Sequence, residues 1–387
     1  MSKTIKKVDF AVVGLGTIGA MALWQLTRAL NGNKSVIGIE QFSPLHTLGS
    51  YTGESRLFRV AVKEGAEFVP MALKSRELWQ DLNAAAGKPV FLSTGALSIA
   101  PKGFPKLADT LDNAKRHQIP VRTLSGKQLT SSYPQFKLPH GYEAVLDELG
   151  GAIRPELAIA AAQKLSEEQG AELFFNTPVL SIVPQDDRIL IETEREVWSA
   201  AVAIVAPGSW CTKLFPILKN HIHIRPLALS WFTPSDIENF VPEMLPVFML
   251  DYLDGNGTLN HFYGAPSLDG ATVKCSTDFF DELATDSVDK VPLAVPSETQ
   301  SRISATVKEF FPTMYEGISR FEIHHDGFTR TGQPIIQRSE ESSIVIATGM
   351  SGTGMKFAPY YGKAAAELAL STSDHSSLAP FKHDISI

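Results

Sequence analysis

The sequence predicts an α/β protein in which a Rossmann-like nucleotide-binding domain carries an inserted domain built on an antiparallel sheet. Three observations carry that prediction. The stretch FAVVGLGTIGAMALWQL (residues 10–26) sets Gly14, Gly16 and Gly19 at G-x-G-x-x-G spacing between an apolar β run and a helical run free of Pro. IVIATGMSGTGMKFAPYYGK (344–363) gives strand, glycine-rich turn and helix again near the far end. Between them, residues 221–320 hold aromatic β segments of a different character.

Composition narrows the class. A chain of 387 residues, 44% hydrophobic and 20% charged, is long enough for two domains around sizeable cores. Its net charge of -7 offers no basic footprint for nucleic acid or an anionic membrane surface. No run approaches the ~20 apolar residues of a membrane span. MSKTIKKVDF lacks the apolar core of a signal peptide, and the closing ISI is not a peroxisomal address. The two cysteines, Cys211 and Cys275, suit a reducing compartment better than a disulfide framework. A cytoplasmic enzyme is the expectation.

Element by element, VDFAVV reads as a buried strand that feeds the first glycine turn. Such a turn brings backbone close to a pyrophosphate, and the helix start offers it unpaired N–H groups and positive dipole. SVIGIE is the second strand and ends at Glu40, placed to accept hydrogen bonds from a ribose. Its charge repels a 2′-phosphate, which disfavours NADP and leaves NAD and FAD. QFSPLHTLGSYTGESRLFR is a polar, glycine-containing stretch, followed by the helical FVPMALKSRELWQDL and the helix KLADTLDNAKRH. RPELAIAAAQKLSEEQ is a helix with Pro155 and Glu156 in its first turn. AELFFNTPVLSIV, RILIETER and AAVAIVAPGSW read as β runs, and SETQSRISATVKEFF as a later helix. This order predicts a discontinuous nucleotide domain (1–90, 151–220 and 321–387) around a substrate domain (91–150 and 221–320). His221, His223, His324 and His325 lack further ligands at metal spacing, so no metal is expected.

The second turn, with Gly349, Gly352 and Gly354, bears on the cofactor. An NAD enzyme has no evident use for it, whereas reduced isoalloxazine carries negative charge that a helix start would stabilise by roughly 0.3–2 kcal/mol. A packing turn at the end of the sheet would read the same way.

The chain resembles the monomeric sarcosine oxidase and N-methyltryptophan oxidase family, within the D-amino-acid-oxidase-like superfamily of FAD enzymes. The resemblance runs along nearly the whole chain: GLGTIG, PLHTLGSYTGESRLFR, FVPMALKSRELW, IVAPGSW and SGTGMKF. It implies FAD as the cofactor. In addition to Gly14, Gly16, Gly19 and Glu40, it implies cofactor contacts from Thr17, Ile18, Gln41, His46, Gly49, Ser50, Arg56, Leu57 and Val179. Pro207, Gly208 and Trp210 follow, with Asp326, Met350, Ser351, Gly352, Thr353, Gly354 and Lys356. Arg59 and Lys356 are implied on the substrate carboxylate, with Tyr263 and Thr353 beside the substrate. Lys274 corresponds to a lysine that contacts flavin N5 through water and activates oxygen, and Arg56 to an arginine near the ring. Catalytic roles are thus implied for Lys274, Arg56, Tyr263 and Asp278.

The sequence departs from the family at three positions. Asp326 stands where relatives attach FAD through cysteine, so dissociable FAD is expected. Asp278 and Thr353 replace histidines. The implied activity is an oxidase of a small N-alkyl or cyclic secondary amino acid, passing hydride to flavin N5, releasing an imine to hydrolysis and reducing oxygen to hydrogen peroxide. A primary amino-acid oxidase, a flavin dehydrogenase with another acceptor and a non-catalytic flavin sensor are the alternatives, and a monomer is the expected state.

Overall fold

The computed structural model describes residues 4–62, 65, 68–278, 280–371 and 383, in which two eight-stranded sheets dominate. The first grows outward from the strand Ile5–Val13, parallel to Val36–Ile39 on one side and to Val197–Val205 on the other. Ala171–Phe174 adds a parallel edge beyond Val36–Ile39, and Ile344–Thr348 runs parallel to the end of Val197–Val205. Parallel strands covered on both faces need apolar side chains at successive positions, and VIGI and IVIAT are buried throughout. Register sets Val13 beside both Ile39 and Val205, so these strands finish at one level and their following loops meet there.

Helices Thr17–Leu30, Phe68–Ala86, Pro155–Glu168 and Ala358–Leu370 share one core with that sheet. Small residues on their buried faces, among them Ala20, Ala22, Ala158, Ala162 and Ala365, let the helices approach closely. The stretch AELFFNTPVLSIV, expected as one β run, divides into the parallel edge strand Ala171–Phe174 and the antiparallel strand Val179–Gln185. Asn176 adopts the left-handed conformation (φ 51°) between them, and Pro178 brings no N–H to a ladder.

The second sheet runs in the order Met314–Thr329, Ile222–Pro234, Val273–Thr277, Leu259–Ala265, Val247–Leu253, Ala96–Pro101, Tyr142–Asp147, Val121–Leu124. It is antiparallel except where Val247–Leu253 meets Ala96–Pro101. Ile222 pairs with Thr329, so this sheet continues through residue 321. Alternation along its strands separates two faces. Phe248, Leu250 and Phe262 join the core shared with Val307 and Phe310 of the helix Ser297–Phe310, while Met249, His261 and Tyr263 turn the opposite way.

A small sheet of Arg56–Phe58, Gly151–Ile153 and Phe91–Leu92 sits between the larger ones and carries the chain past Arg59. Buried Asp147 fixes that passage by accepting hydrogen bonds from the N–H groups of Val60 (2.6 Å) and Ala61 (2.8 Å).

Candidate active site

A cavity of about 440 Å³ opens where the parallel strands end, between them and the inward face of the second sheet. Ligands of open α/β sheets bind at this edge because the loops after successive strands converge there. Gly14, Glu40, Ala206 and Gly349, each the residue after a parallel strand, all line it.

The first glycine turn is sterically determined. Gly14 has φ 85°, and a Cβ there would lie 2.4 Å from the Ala206 carbonyl oxygen. A Cβ on Gly19 would lie 1.7 Å from the carbonyl oxygen of Gly14, so strand and helix could not pack as they do. At Gly16, by contrast, the nearest atom to an added Cβ is in the Tyr51 ring at 3.8 Å. The helix Thr17–Leu30 begins there without a side-chain cap, leaving first-turn N–H groups to a ligand. Glu40 is buried and accepts from the N–H of Leu15 at 2.8 Å and of Phe42 at 3.1 Å. Each oxygen retains lone-pair capacity for a ribose hydroxyl. Burial raises the Glu40 carboxyl above its ordinary value and lowers that of His46, whose Nε2 stands 3.6 Å from Glu40 Oε1. An uncapped helix start, an acidic acceptor and close backbone approach are the requirements of a dinucleotide, and these residues fit FAD.

Of the residues singled out in the sequence, Thr17, Ile18, Gln41, His46, Gly49, Ser50, Leu57 and Val179 line the cavity, as do Pro207, Gly208 and Trp210. So do Arg56, Arg59, Tyr263, Asp278, Asp326, Met350, Gly352, Gly354 and Lys356. Four lie behind its wall. Gly19 packs on Gly14, one helical turn in. Ser351 donates to the Gly349 carbonyl, and its own oxygen accepts from the N–H of Thr329. The Thr353 hydroxyl donates to the Met350 carbonyl at 2.7 Å and so turns into the loop rather than into the cavity. Lys274 is buried with its ammonium donating to the carbonyls of Gly53 (2.9 Å) and Ser55. Burial is the main cause that holds its pKa well below the usual lysine range, with Arg56 acting in the same direction.

Arg56 organises the loop before it, donating to the carbonyls of Ser50 (2.8 Å), Thr52 (2.7 Å) and Ser55 (2.8 Å). Glu156, in the first turn of its helix, accepts from the N–H of Gly53 at 2.7 Å on the other side of that loop. Arg59 is buried, and its guanidinium donates to the sulfur of Met249 at 2.9 Å. Lys356, also buried, lies over the ring of Phe357 at 4.6 Å. Met249, His261, His324 and His325 line the cavity too, but no sequence pattern marks them. A methionine in an apolar β run and histidines without metal spacing read as ordinary core until register brings them together.

Asp326 ties the second glycine turn to the strand Met314–Thr329, accepting from the N–H of Gly327 and of Gly352, each at 2.8 Å. Burial pushes its carboxyl up to about 6, against the opposing pull of those hydrogen bonds and of Arg56. A carboxyl raised on folding contributes stability that is complete below its ordinary value of 3.8 and is lost as pH rises through about 6. Wild-type protein is therefore expected to lose on the order of 3 kcal/mol relative to Asp326→Asn from about pH 4 to about pH 7 in urea denaturation of the FAD-free chain. Parallel pH profiles for the two proteins would place this carboxylate in solvent.

Residues 9–368 match the family described as FAD dependent oxidoreductase. The monomeric sarcosine oxidase of Bacillus sp. (strain B-0618) is 31% identical over 383 residues, covering 98% of this chain and 94% of the relative. N-methyl-L-tryptophan oxidase of Salmonella arizonae is 27% identical over 378 residues, covering 97% of this chain and 98% of the relative. Among solved structures, NikD, an unusual amino acid oxidase essential for nikkomycin biosynthesis, superposes with TM-score 0.84 at 19% identity over 97% of both chains. Glycine oxidase from Geobacillus kaustophilus does so with TM-score 0.80 at 18% identity, over 99% of this chain and 100% of its own. The chain belongs to the FAD dependent oxidoreductase family and is an FAD-dependent enzyme of the sarcosine oxidase and N-methyl-L-tryptophan oxidase type.

Proposed function

We propose that this enzyme oxidises a small N-alkyl or cyclic secondary amino acid at the carbon α to nitrogen, to an imine that water hydrolyses, with oxygen leaving as hydrogen peroxide. The observation that carries the reading is the pair of buried cations, Arg59 and Lys356, in the wall of one cavity. A guanidinium grips a carboxylate through parallel charge-assisted hydrogen bonds, and an ammonium supplies a further point charge. FAD, when bound, supplies the two-electron acceptor. The chain's task is then to hold the amino acid in one orientation and keep water from its reacting carbon.

Arg59 and Lys356 bind the carboxylate, and Tyr263, which burial keeps neutral by raising its pKa, bounds the substrate on the sheet side. Arg56 brings positive charge to the cavity on a loop whose carbonyls it holds in place. Lys274 shares the sheet face of Tyr263, because Lys274 pairs with Ala265 and Tyr263 with Ser276. From behind the cavity wall, tied to the carbonyls of Gly53 and Ser55, its positive charge would favour an oxygen anion. FAD is held without a covalent bond: Cys211 and Cys275 are buried free thiols, and neither lines the cavity.

Secondary amino acids are expected to bleach the bound flavin anaerobically, and with Arg59→Ala the KM rises roughly ten- to a hundredfold. An unchanged KM would remove Arg59 from the carboxylate. With Lys274→Met, return of the reduced enzyme in oxygen slows far more than anaerobic reduction does; equal slowing of both steps would assign Lys274 to loop anchoring. Acid precipitation is expected to leave the polypeptide colourless and the flavin in solution, and yellow precipitate would overturn dissociable FAD.

A further inference from the structure

We propose that His261 and Asp278, with Asp251 behind the imidazole, form a distal subsite for a cationic group on the substrate, so that the favoured substrate is a secondary amino acid with a basic side chain. The proposal rests on the oxidase reading above and extends it to the substrate side chain.

Strand register carries it. Met249 pairs with Tyr263, and Tyr263 with Ser276, which makes one row across three adjacent strands. Asp251 pairs with His261, two residues along. Phe262 pairs with Thr277, so the next position along places Asp278 level with His261. Residues two apart on a strand share a face, so both rows look the same way, and Met249, His261, Tyr263 and Asp278 all line the cavity. The first row is tied to the carboxylate clamp through Arg59, which donates to Met249 at 2.9 Å. The second row lies roughly 7 Å further along the strands, a distance suited to the four-carbon stem of a lysine-like side chain.

The chemistry of the second row is that of an acceptor. Asp251 is buried and within 2.8 Å of His261 Nδ1. When Nδ1–H donates to that carboxylate, the neutral imidazole keeps a lone pair on Nε2. No hydrogen bond to Nε2 occurs among the described residues. Asp278 likewise has no hydrogen-bond or ion-pair partner among the described residues. Asp278 is exposed at the edge of the cavity, and Asp251 stands behind the imidazole. Their negative charge repels an anionic side chain, gives nothing to an apolar one and attracts an ammonium or guanidinium.

The test is anaerobic stopped-flow reduction of the holoenzyme by sarcosine, Nα-methyllysine, Nα-methylnorleucine and Nα-methylglutamate, each chiral compound in both enantiomers. Reduction efficiency for Nα-methyllysine is expected to exceed that for its apolar isostere Nα-methylnorleucine by roughly tenfold, with Nα-methylglutamate the poorest. Asp278→Asn is expected to collapse the lysine-to-norleucine ratio and Asp278→Glu to restore most of it. Equal or better reduction by Nα-methylnorleucine, or a ratio unmoved by Asp278→Asn, overturns the subsite while the oxidase reading stands. Reduction by none of the compounds, sarcosine included, defeats the oxidase reading and the subsite with it.

Discussion

At the edge where the parallel strands end, the backbone must pass closer to itself than any side chain permits. The carbonyl of Gly14 lies where a Cβ on Gly19 would stand, and the carbonyl of Ala206 where a Cβ on Gly14 would stand. Removing those Cβ atoms allows the helix Thr17–Leu30 to start directly over the strand ends, with its first N–H groups uncapped. The position of the cavity, the direction of its positive dipole and the placement of Glu40 across from it all follow from that contact. A larger residue at Gly19 would push the helix off the sheet and remove the cradle, whatever the rest of the chain did.

The opposite wall depends on a different regularity. Strand alternation sends Phe248, Leu250 and Phe262 into a core under the helix Ser297–Phe310 and leaves Met249, His261 and Tyr263 for the cavity. Between the two walls, the segment from Ser50 to Ala61 is held by charge rather than by a ladder alone. Arg56 gathers its carbonyls, Glu156 takes its N–H groups, and Asp147 fixes the backbone immediately after Arg59. Cations are thereby positioned in a buried place by hydrogen bonds made elsewhere along the same loop. Burial alone would disfavour their charge.

Much of this was visible in the sequence. Glycine spacing, Glu40 and the apolar parallel strands are local signals, and residues 10–26 and 344–363 became strand, turn and helix at nearly the expected positions. The helix at Pro155 was also legible, but the bond from Glu156 to Gly53 was not, because the partners are far apart in sequence. Thr353 and Lys274 show the converse limit. Their positions carried a family role, while the Thr353 hydroxyl is directed by the Met350 carbonyl and the Lys274 ammonium by carbonyls of a loop remote in sequence. His261 had no marker at all, since one histidine in a β segment acquires meaning only when register sets Asp251 and Asp278 beside it.

The sequence by itself determined that this chain builds a nucleotide cradle with an acidic ribose acceptor, because those features depend on residues within one strand–turn–helix unit. It also determined that cationic side chains stand at 56, 59, 274 and 356. Only the tertiary structure decided which of them reach the cavity: Arg56, Arg59 and Lys356 do, and Lys274 stands behind its wall. That decision belongs to contacts remote in sequence: Lys274 shares the sheet face of cavity-lining Tyr263, and the carbonyls of Gly53 and Ser55 hold its ammonium behind the wall. A shift of register by one residue sends every side chain to the other face, and no local pattern in these β segments records which register wins.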